Sequence, residues 1–162
     1  MSGGTVSSNG GATGTGNDRL VRVGYSGGNG TLNVSGGTLS KTAVGNFIVG
    51  SGANSVGKLV QTGGTVNVAN EFWAGSDATA TGVFQLDAGT FNVNSWFVLG
   101  RTGGKGTLNM SGGTLVKNTA GTSFIVGGNG AADVGIMNQS GGLVNVNAGD
   151  TWIAENGTGT IT

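Results

Sequence analysis

The chain has no cysteine, no histidine and no proline. The first two absences exclude disulfides, thiolate or imidazole metal sites, cysteine nucleophiles and every catalytic triad that needs an imidazole base. Charge is also scarce, since seven basic and seven acidic residues cancel and no block of like charge occurs. A nucleic-acid groove or a polybasic membrane surface is therefore not expected. No apolar run approaches the length of a membrane span, and residues 1–20 show neither the basic start nor the apolar centre of a signal peptide.

Small and polar residues make up just over half of the chain. Glycine supplies 37 of the 162 residues, and threonine, asparagine and serine bring the total of the four types to 87. This composition is similar to that of a linker, but Leu, Ile, Val and Phe together supply 38 residues, or 23%. That fraction exceeds the level typical of disorder. Valine is twice as frequent as leucine, which favours strands over helices.

An internal repeat organises the sequence. Each period closes on a short apolar run and a small residue, and successive closing residues lie 26, 25, 25, 27 and 27 positions apart. The closing runs are residues 21–24 (VRVG), 47–50 (FIVG), 72–75 (FWAG), 97–100 (FVLG), 124–127 (FIVG) and 151–154 (TWIA). A second signature recurs between them, clearest at residues 30–39 (GTLNVSGGTL) and 106–115 (GTLNMSGGTL). One period thus contains three strand-like pieces separated by glycine-rich turns.

Three short strands in about 26 residues predict one coil of a parallel β-helix, because no helical period separates them. We expect a single all-β domain over residues 1–162, a right-handed solenoid of about six coils with 25–27 residues each. Three inward columns are predicted: Leu32, Leu59, Phe84, Leu108, Met137 and Ile161; Leu39, Val66, Phe91, Leu115 and Val144; and Phe47, Phe72, Phe97 and Phe124, the last accompanied by Val49, Ala74, Leu99, Val126 and Ile153. A glycine column at 30, 57, 82, 106, 135 and 159 predicts a corner with positive φ or a very tight bend.

The GTLNVSGGTL pattern followed by F-x-V-G resembles the autotransporter-associated β-strand repeats of bacterial surface and secreted proteins. The passenger regions of that family are right-handed parallel β-helices. The resemblance covers nearly the whole chain, and it implies an extracellular or cell-surface location. It implies an architecture and no particular activity.

Parallel β-helices also include polysaccharide lyases and hydrolases, and glycosidases need a pair of carboxylates about 5 to 9.5 Å apart. Glu71 and Asp150 occupy one column, but three coils separate them, which corresponds to about 14 Å. Asp77 and Arg101 occupy equivalent turns of adjacent coils, which predicts a surface ion pair. We expect no enzyme, no cofactor and no metal site, including calcium, because the glycine-rich turns lack the aspartates that calcium repeats provide.

The middle residues of the closing runs form a second pattern, an apolar stripe that alternation places outside the coil. We predict a lateral interface formed by Ile48, Trp73, Val98, Ile125 and Trp152. The candidate partners are a neighbouring filament, a covering loop of the same chain, or sugar rings stacked on Trp73 and Trp152. A strand register shifted by one residue would instead place the stripe in the core.

A polar ladder on another face offers the alternative function. Its members are Thr38, Thr65, Asn67, Thr90, Asn92 and Thr114. Side-chain hydrogen bonding along a solvated sheet explains such a ladder, and the sharper interpretation is a flat array that binds a glycan or ice.

The two ends of the chain are in register with each other. Residues 159–162 followed by 1–6 read GTITMSGGTV, against GTLNMSGGTL at 106–115. The sequence therefore predicts either one unit of a longer tandem array or a subunit that stacks head to tail. In both cases the end-to-end joint is formed by Met1, Ser2, Gly3, Gly4, Thr5, Val6, Gly159, Thr160, Ile161 and Thr162. The function predicted is a structural β-solenoid of a bacterial extracellular filament, surface layer or adhesin stalk. Its main partner would be itself, with polysaccharide as the other candidate, and neither nucleic acid nor membrane insertion is expected.

Overall fold

The structure, a computed structural model, describes residues 1–9, 20–42 and 44–162. Sixteen β-strands and no helix occur in these ranges, and every strand pair is parallel. The strands wind into a β-solenoid of about five turns with three faces, consistent with the predicted right-handed β-helix. Since the described ranges contain no helix, they contain none that is long and apolar enough to cross a membrane.

Each face is a stack of six strand segments. The first face contains β3 (Asn29–Val34), the first half of β6 (Val56–Val68), the first half of β8 (Thr81–Val93), β10 (Lys105–Met110), β13 (Val134–Gln139) and β16 (Thr158–Ile161). The second face contains β1 (Thr5–Ser8), β4 (Thr38–Lys41), the second halves of β6 and β8, β11 (Thr114–Lys117) and β14 (Leu143–Val146). The third face contains β2 (Val21–Tyr25), β5 (Phe47–Ser51), β7 (Phe72–Ser76), β9 (Phe97–Arg101), β12 (Phe124–Val126) and β15 (Thr151–Ile153).

The predicted register is confirmed on all three faces. Leu59 pairs with Phe84, Val66 with Phe91, and Phe72 with Phe97, as the inward columns require. Within β8, buried and half-buried residues alternate, because successive side chains of a strand point to opposite sides. The inward members of the columns form one hydrophobic cluster along the solenoid axis, except for Ile153 and Ile161 in the last segments, which are exposed.

Phenylalanine rings form the centre of that cluster. Phe72 stacks on Phe97 with ring centroids 5.0 Å apart, and Phe97 stacks on Phe124 at 4.9 Å. Phe91 meets the edge of Phe72 at 4.9 Å and belongs to a different face. The rings therefore join the second and third faces across the interior, with geometries that add to the energy of burial.

The glycine column at 30, 57, 82, 106, 135 and 159 lies at the corner between the third and first faces. At Gly82, a Cβ atom would lie 2.0 Å from the carbonyl oxygen of Val49 and 2.2 Å from the amide nitrogen of Gly75. Of the two predicted alternatives, positive φ does not occur in this column, and glycine is required there by the close approach of neighbouring backbone. Positive φ occurs instead in the closing residues of the periods, which shortly precede this column in the chain: Gly24, Gly50, Gly75, Gly100, Gly127 and Ala154. The backbone of the closing residues lies directly against the backbone of the corner glycine column. This contact leaves no room for a side chain on the corner glycines.

Two buried lysines were not predicted. Lys41 and Lys117 lie in a column that contains Val68, Val93 and Val146 in the other coils, and they are 1% and 0% exposed. The chain from the lysine to the third face is five residues long after Lys41 and six after Lys117, against three after Val68 and Val93. Lysine therefore accompanies the longer corner loops.

The ammonium group of Lys117 donates to the backbone carbonyls of Thr119, Thr122 and Ala148, the last at 2.6 Å. Lys41 Nζ donates to the carbonyl of Val44 at 3.2 Å. Buried backbone carbonyls need a hydrogen-bond donor. The lysines supply that donor to carbonyls of the longer corner loops, which the three-residue corners do not contain.

Candidate functional site

The polar ladder of the second face is aligned as predicted. Thr38, Thr65, Thr90 and Thr114 pair in sequence along the stack, and Asn67 pairs with Asn92. Asn92 donates its side-chain amide to Asn67 at 2.9 Å, and Asn67 donates to the Ser40 hydroxyl at 3.5 Å. The amides therefore bond to one another along the axis, which is the hydrogen-bonded arrangement of a solvated sheet. Ice or glycan binding on this face stays a prediction.

The apolar stripe of the third face is less exposed than predicted. Ile48, Val98 and Ile125 are 3%, 1% and 2% exposed, although none of them belongs to the interior cluster. Trp73 and Trp152 are half-buried. The side chains point away from the core, as alternation requires, but larger side chains of the same chain cover them. The predicted outward placement of the stripe thus agrees with the structure, three of its members are already covered within one chain, and a lateral interface at these five residues stays a prediction.

Trp73 is held by two charged side chains. Its Nε1 donates to Glu71 Oε2 at 2.8 Å, and the guanidinium carbon of Arg101 lies 4.3 Å from the centre of its ring. Arg101 Nη1 is also 3.9 Å from Glu71 Oε2. The predicted ion pair between Asp77 and Arg101 is therefore replaced by the pair of Arg101 with Glu71. In this cluster the Trp73 Nε1 donor is already used by Glu71, whereas Arg101 also lines a neighbouring cleft.

A cleft opens on the third face beside that cluster, and we name it the Trp96 cleft. It encloses about 240 Å³ and is lined by Trp96, Val98, Arg101, Ile125, Asn129 and Glu155, together with Gly128. The ring of Trp96 meets that of Trp152 at a centroid distance of 6.0 Å and an angle of 65°. A second cleft, lined by residues 151–155, shares Glu155 with the first. An apolar wall, a guanidinium, an amide and a carboxylate thus face one small volume.

Three residues of the cleft, Trp96, Asn129 and Glu155, were not predicted from the sequence. A signal for Trp96 existed, because its corner position is held by polar residues in the other coils, namely Asn46, Glu71, Ser123 and Asp150. A tryptophan among those residues stands out once the columns are aligned. The approach of Asn129 and Glu155 depends on turns of two different coils, for which the repeat contains no marker.

Two aspartates use their carboxylates to accept hydrogen bonds from backbone amides in turns. Asp77 Oδ2 accepts from the backbone amide of Gly52 at 2.8 Å. Asp133 is fully buried and accepts from the amides of Gly103 at 2.5 Å and Gly130 at 2.9 Å. Each carboxylate links consecutive coils at a turn, which is a structural use of the charge.

Asp87 lies on the outer side of the stack and has a shifted pKa. The Ser111 hydroxyl donates to its Oδ1 at 2.6 Å, and Gln85 Nε2 donates to the same oxygen at 2.5 Å. These hydrogen bonds, that from Ser111 first, hold the pKa of Asp87 below its usual value, because they stabilise the ionised form. The group is therefore an anion at neutral pH.

The residues of the predicted joint lie in the outermost strand segments, β1 and β16, or directly beside them. Met1 O accepts from the amide of Ser35 at 2.8 Å, and Thr162 O accepts from the amide of Gln139 at 2.7 Å. Thr5 and Val6 lie in β1, and Gly159, Thr160 and Ile161 lie in β16. Val6 is 51% exposed and Ile161 40% exposed, whereas Leu59 in the interior of the stack is 0% exposed.

No group of three acidic side chains able to hold a metal ion is found in the described ranges. No protein-family model, curated protein or solved structure matches the chain.

Proposed function

We propose that the chain is a structural β-solenoid that assembles end to end in a bacterial extracellular filament, surface layer or adhesin stalk. The observation that carries the proposal is the exposure of core-column residues in the outermost coils. Val6 and Ile161 continue the columns of Leu39 and Met137, yet about half of each side chain meets solvent. Ile153, which continues the inward column of Val126 in the last segment of the third face, is 54% exposed.

Unpaired strand edges add to this argument. The outward edges of β1 and β16 have no neighbouring strand among the described residues, and such edges pair readily with another strand. A second copy stacked on the axis would pair both edges and bury Val6 and Ile161. The predicted axial repeat is about 29 Å, from six strand spacings. A covalent continuation of the same coil would have the same geometry.

The bacterial surface location is supported by the repeat itself, which resembles autotransporter-associated β-strand repeats at residues 30–39 and 106–115. A structural rather than catalytic role is supported by the use of the acidic side chains. Asp77 and Asp133 bind turn amides, and Glu71 binds Trp73 and Arg101. The partner proposed is another copy of the same solenoid.

The test compares two lysine substitutions in β16. Ile161→Lys places a charge in the inward column that contains Met137. Thr160→Lys places a charge on the outer side of the sheet, in the column that already contains Lys58. We expect the unmodified chain and Thr160→Lys to form polymers at high concentration in sedimentation velocity and electron microscopy, and Ile161→Lys to stay monomeric. A chain that remains monomeric without any substitution, or equal assembly by both variants, contradicts end-to-end stacking.

A further inference from the structure

We propose that the Trp96 cleft binds a neutral carbohydrate, one pyranose unit of an oligosaccharide chain that runs along the third face. This inference does not depend on end-to-end assembly. It begins with Trp96, because the fold does not require a tryptophan at that corner. Ser123 occupies the equivalent corner of the next coil, and its backbone carbonyl accepts from Phe97 as that of Trp96 accepts from Phe72.

The indole groups differ in their hydrogen bonds. Trp73 Nε1 already donates to Glu71, whereas Trp96 and Trp152 donate to no partner among residues 1–9, 20–42 and 44–162. A half-buried tryptophan combines an apolar ring with one polar donor. Trp96 therefore offers a flat surface for the C–H groups of a sugar ring and a donor for a hydroxyl.

The polar residues of the cleft fit hydroxyl groups better than they fit an ion. Arg101 contributes donors, Glu155 contributes acceptors, and Asn129 contributes both. The positive charge of Arg101 is offset by Glu71 at 3.9 Å and by Glu155 across the cleft. A phosphate or sulfate would meet no net positive charge there. A sugar ring has an apolar face surrounded by hydroxyl groups that both donate and accept. It therefore matches the indole ring of Trp96 and the polar side chains of the cleft.

The volume of the cleft selects the size of the ligand. Pockets for drug-sized molecules enclose about 300–1,000 Å³, and the Trp96 cleft, at about 240 Å³, is suited to a single ring. The neighbouring cleft at residues 151–155 shares Glu155, so a second ring of the same chain has a place beside the first. Two adjacent clefts on one face favour an oligosaccharide over a free monosaccharide.

Burial argues against a second protein molecule as the occupant. Val98 and Ile125 form the apolar floor and are already 1% and 2% exposed, so a flat partner would gain little by covering them. Stable protein interfaces bury about 1,600 Å² in total. The partly exposed apolar surface at the cleft is that of the indole rings, which suits a ligand that enters the cleft.

The experiment titrates the intact 162-residue chain with cellohexaose, maltoheptaose and chitohexaose, followed by tryptophan fluorescence and calorimetry. Dextran sulfate is the anionic comparison. We expect saturable binding of at least one neutral oligosaccharide with a Kd of about 1 mM or tighter. Trp96→Ser, which reproduces the natural Ser123 corner of the next coil, should weaken it by about tenfold or more.

Tyr25→Ala is the matched control. Tyr25 is 54% exposed and lies against Arg22 at 4.3 Å, so it is an exposed aromatic paired with an arginine, but it does not line the Trp96 cleft. Its loss should leave the Kd unchanged. Glu155→Gln, which keeps the shape of the side chain and removes its charge, should weaken binding and provides the test if Trp96→Ser does not fold.

Four results would overturn the proposal. They are no binding of any neutral oligosaccharide up to about 10 mM, binding of dextran sulfate alone, equal affinity of Trp96→Ser with its fold intact, and an equal loss in Tyr25→Ala. A Trp96→Ser variant that loses self-association instead of sugar binding would assign the face to a second copy of the chain.

Discussion

A methyl group at Gly82 is the sharpest test of how the coils are packed. The position has an ordinary φ, so alanine is compatible with the local backbone. Its Cβ would nevertheless lie 2.0 Å from Val49 O and 2.2 Å from Gly75 N. Ordinary Cβ contacts begin at 3.4 Å, and the neighbouring strands would have to separate by more than 1 Å.

The cost follows from what such a separation breaks. Both obstructing atoms belong to the backbone of the third face, in strands β5 and β7 that are paired to each other. Opening two or three ladder hydrogen bonds in a buried sheet costs about 2–9 kcal/mol, because each buried group left unpaired costs about 1–3 kcal/mol. Total stabilities of domains are about 5–15 kcal/mol. We therefore expect Gly82→Ala to be severely destabilised or unfolded.

Two further alanine substitutions separate packing from backbone conformation. Gly27 has φ +79 with no atom within 4 Å of its Cβ position, so Gly27→Ala should cost about 1–2 kcal/mol through backbone strain alone. Gly3 has neither a positive φ nor a neighbour, and Gly3→Ala should lie within about 0.5 kcal/mol of the unmodified chain. Urea unfolding followed by circular dichroism gives the three values. A cost for Gly82→Ala no larger than that of Gly27→Ala would refute the close-packing explanation.

Two predictions concern titratable groups. Burial lowers the pKa of Lys117, and Asp150 partly opposes that shift, so the folded chain releases the Lys117 proton before the unfolded chain does. Unfolding free energy should rise with pH as the solution passes from the lowered pKa to the ordinary value of about 10.4, and Lys117→Met should lose this rise in urea titrations. An identical pH dependence in both chains would contradict it. Ser111→Ala removes the main hydrogen bond to Asp87, so the pKa of Asp87 should rise, as measured by carboxyl NMR titration; an unchanged pKa would show that Ser111 is not the cause.

The repeat was readable because a solenoid makes non-local contacts periodic. Residues one coil apart become neighbours, so Leu59 and Phe84, which are 25 positions apart, could be paired from the sequence alone. Alternation then indicated which side chains point inward. This reasoning needs no knowledge of the turns, provided that each coil returns to the same register.

The buried lysines show where periodic reasoning fails. Lys117 interrupts an apolar column, and a charged residue normally marks an outward position. Only the tertiary structure brings two carbonyls of the 118–123 loop, those of Thr119 and Thr122, and the carbonyl of Ala148 from the next coil to its ammonium group, which makes burial tolerable. For a similar reason, the sequence leaves the cause of the corner glycines open between positive φ and a tight bend, because it shows that no side chain fits but not what forbids it.

The sequence by itself determined the β-solenoid, its coil length, its strand register and its inward columns, since these depend on periodic local patterns. The tertiary structure decided the surface. Ile48, Val98 and Ile125 point outward as their positions require, yet they are buried, and Trp96 and Arg101 line the same cleft as Val98 and Ile125. The Trp96 cleft is formed by side chains from three coils, whose directions depend on loop length and on each other. Periodicity specifies where a side chain leaves the backbone, and packing between coils decides where it ends.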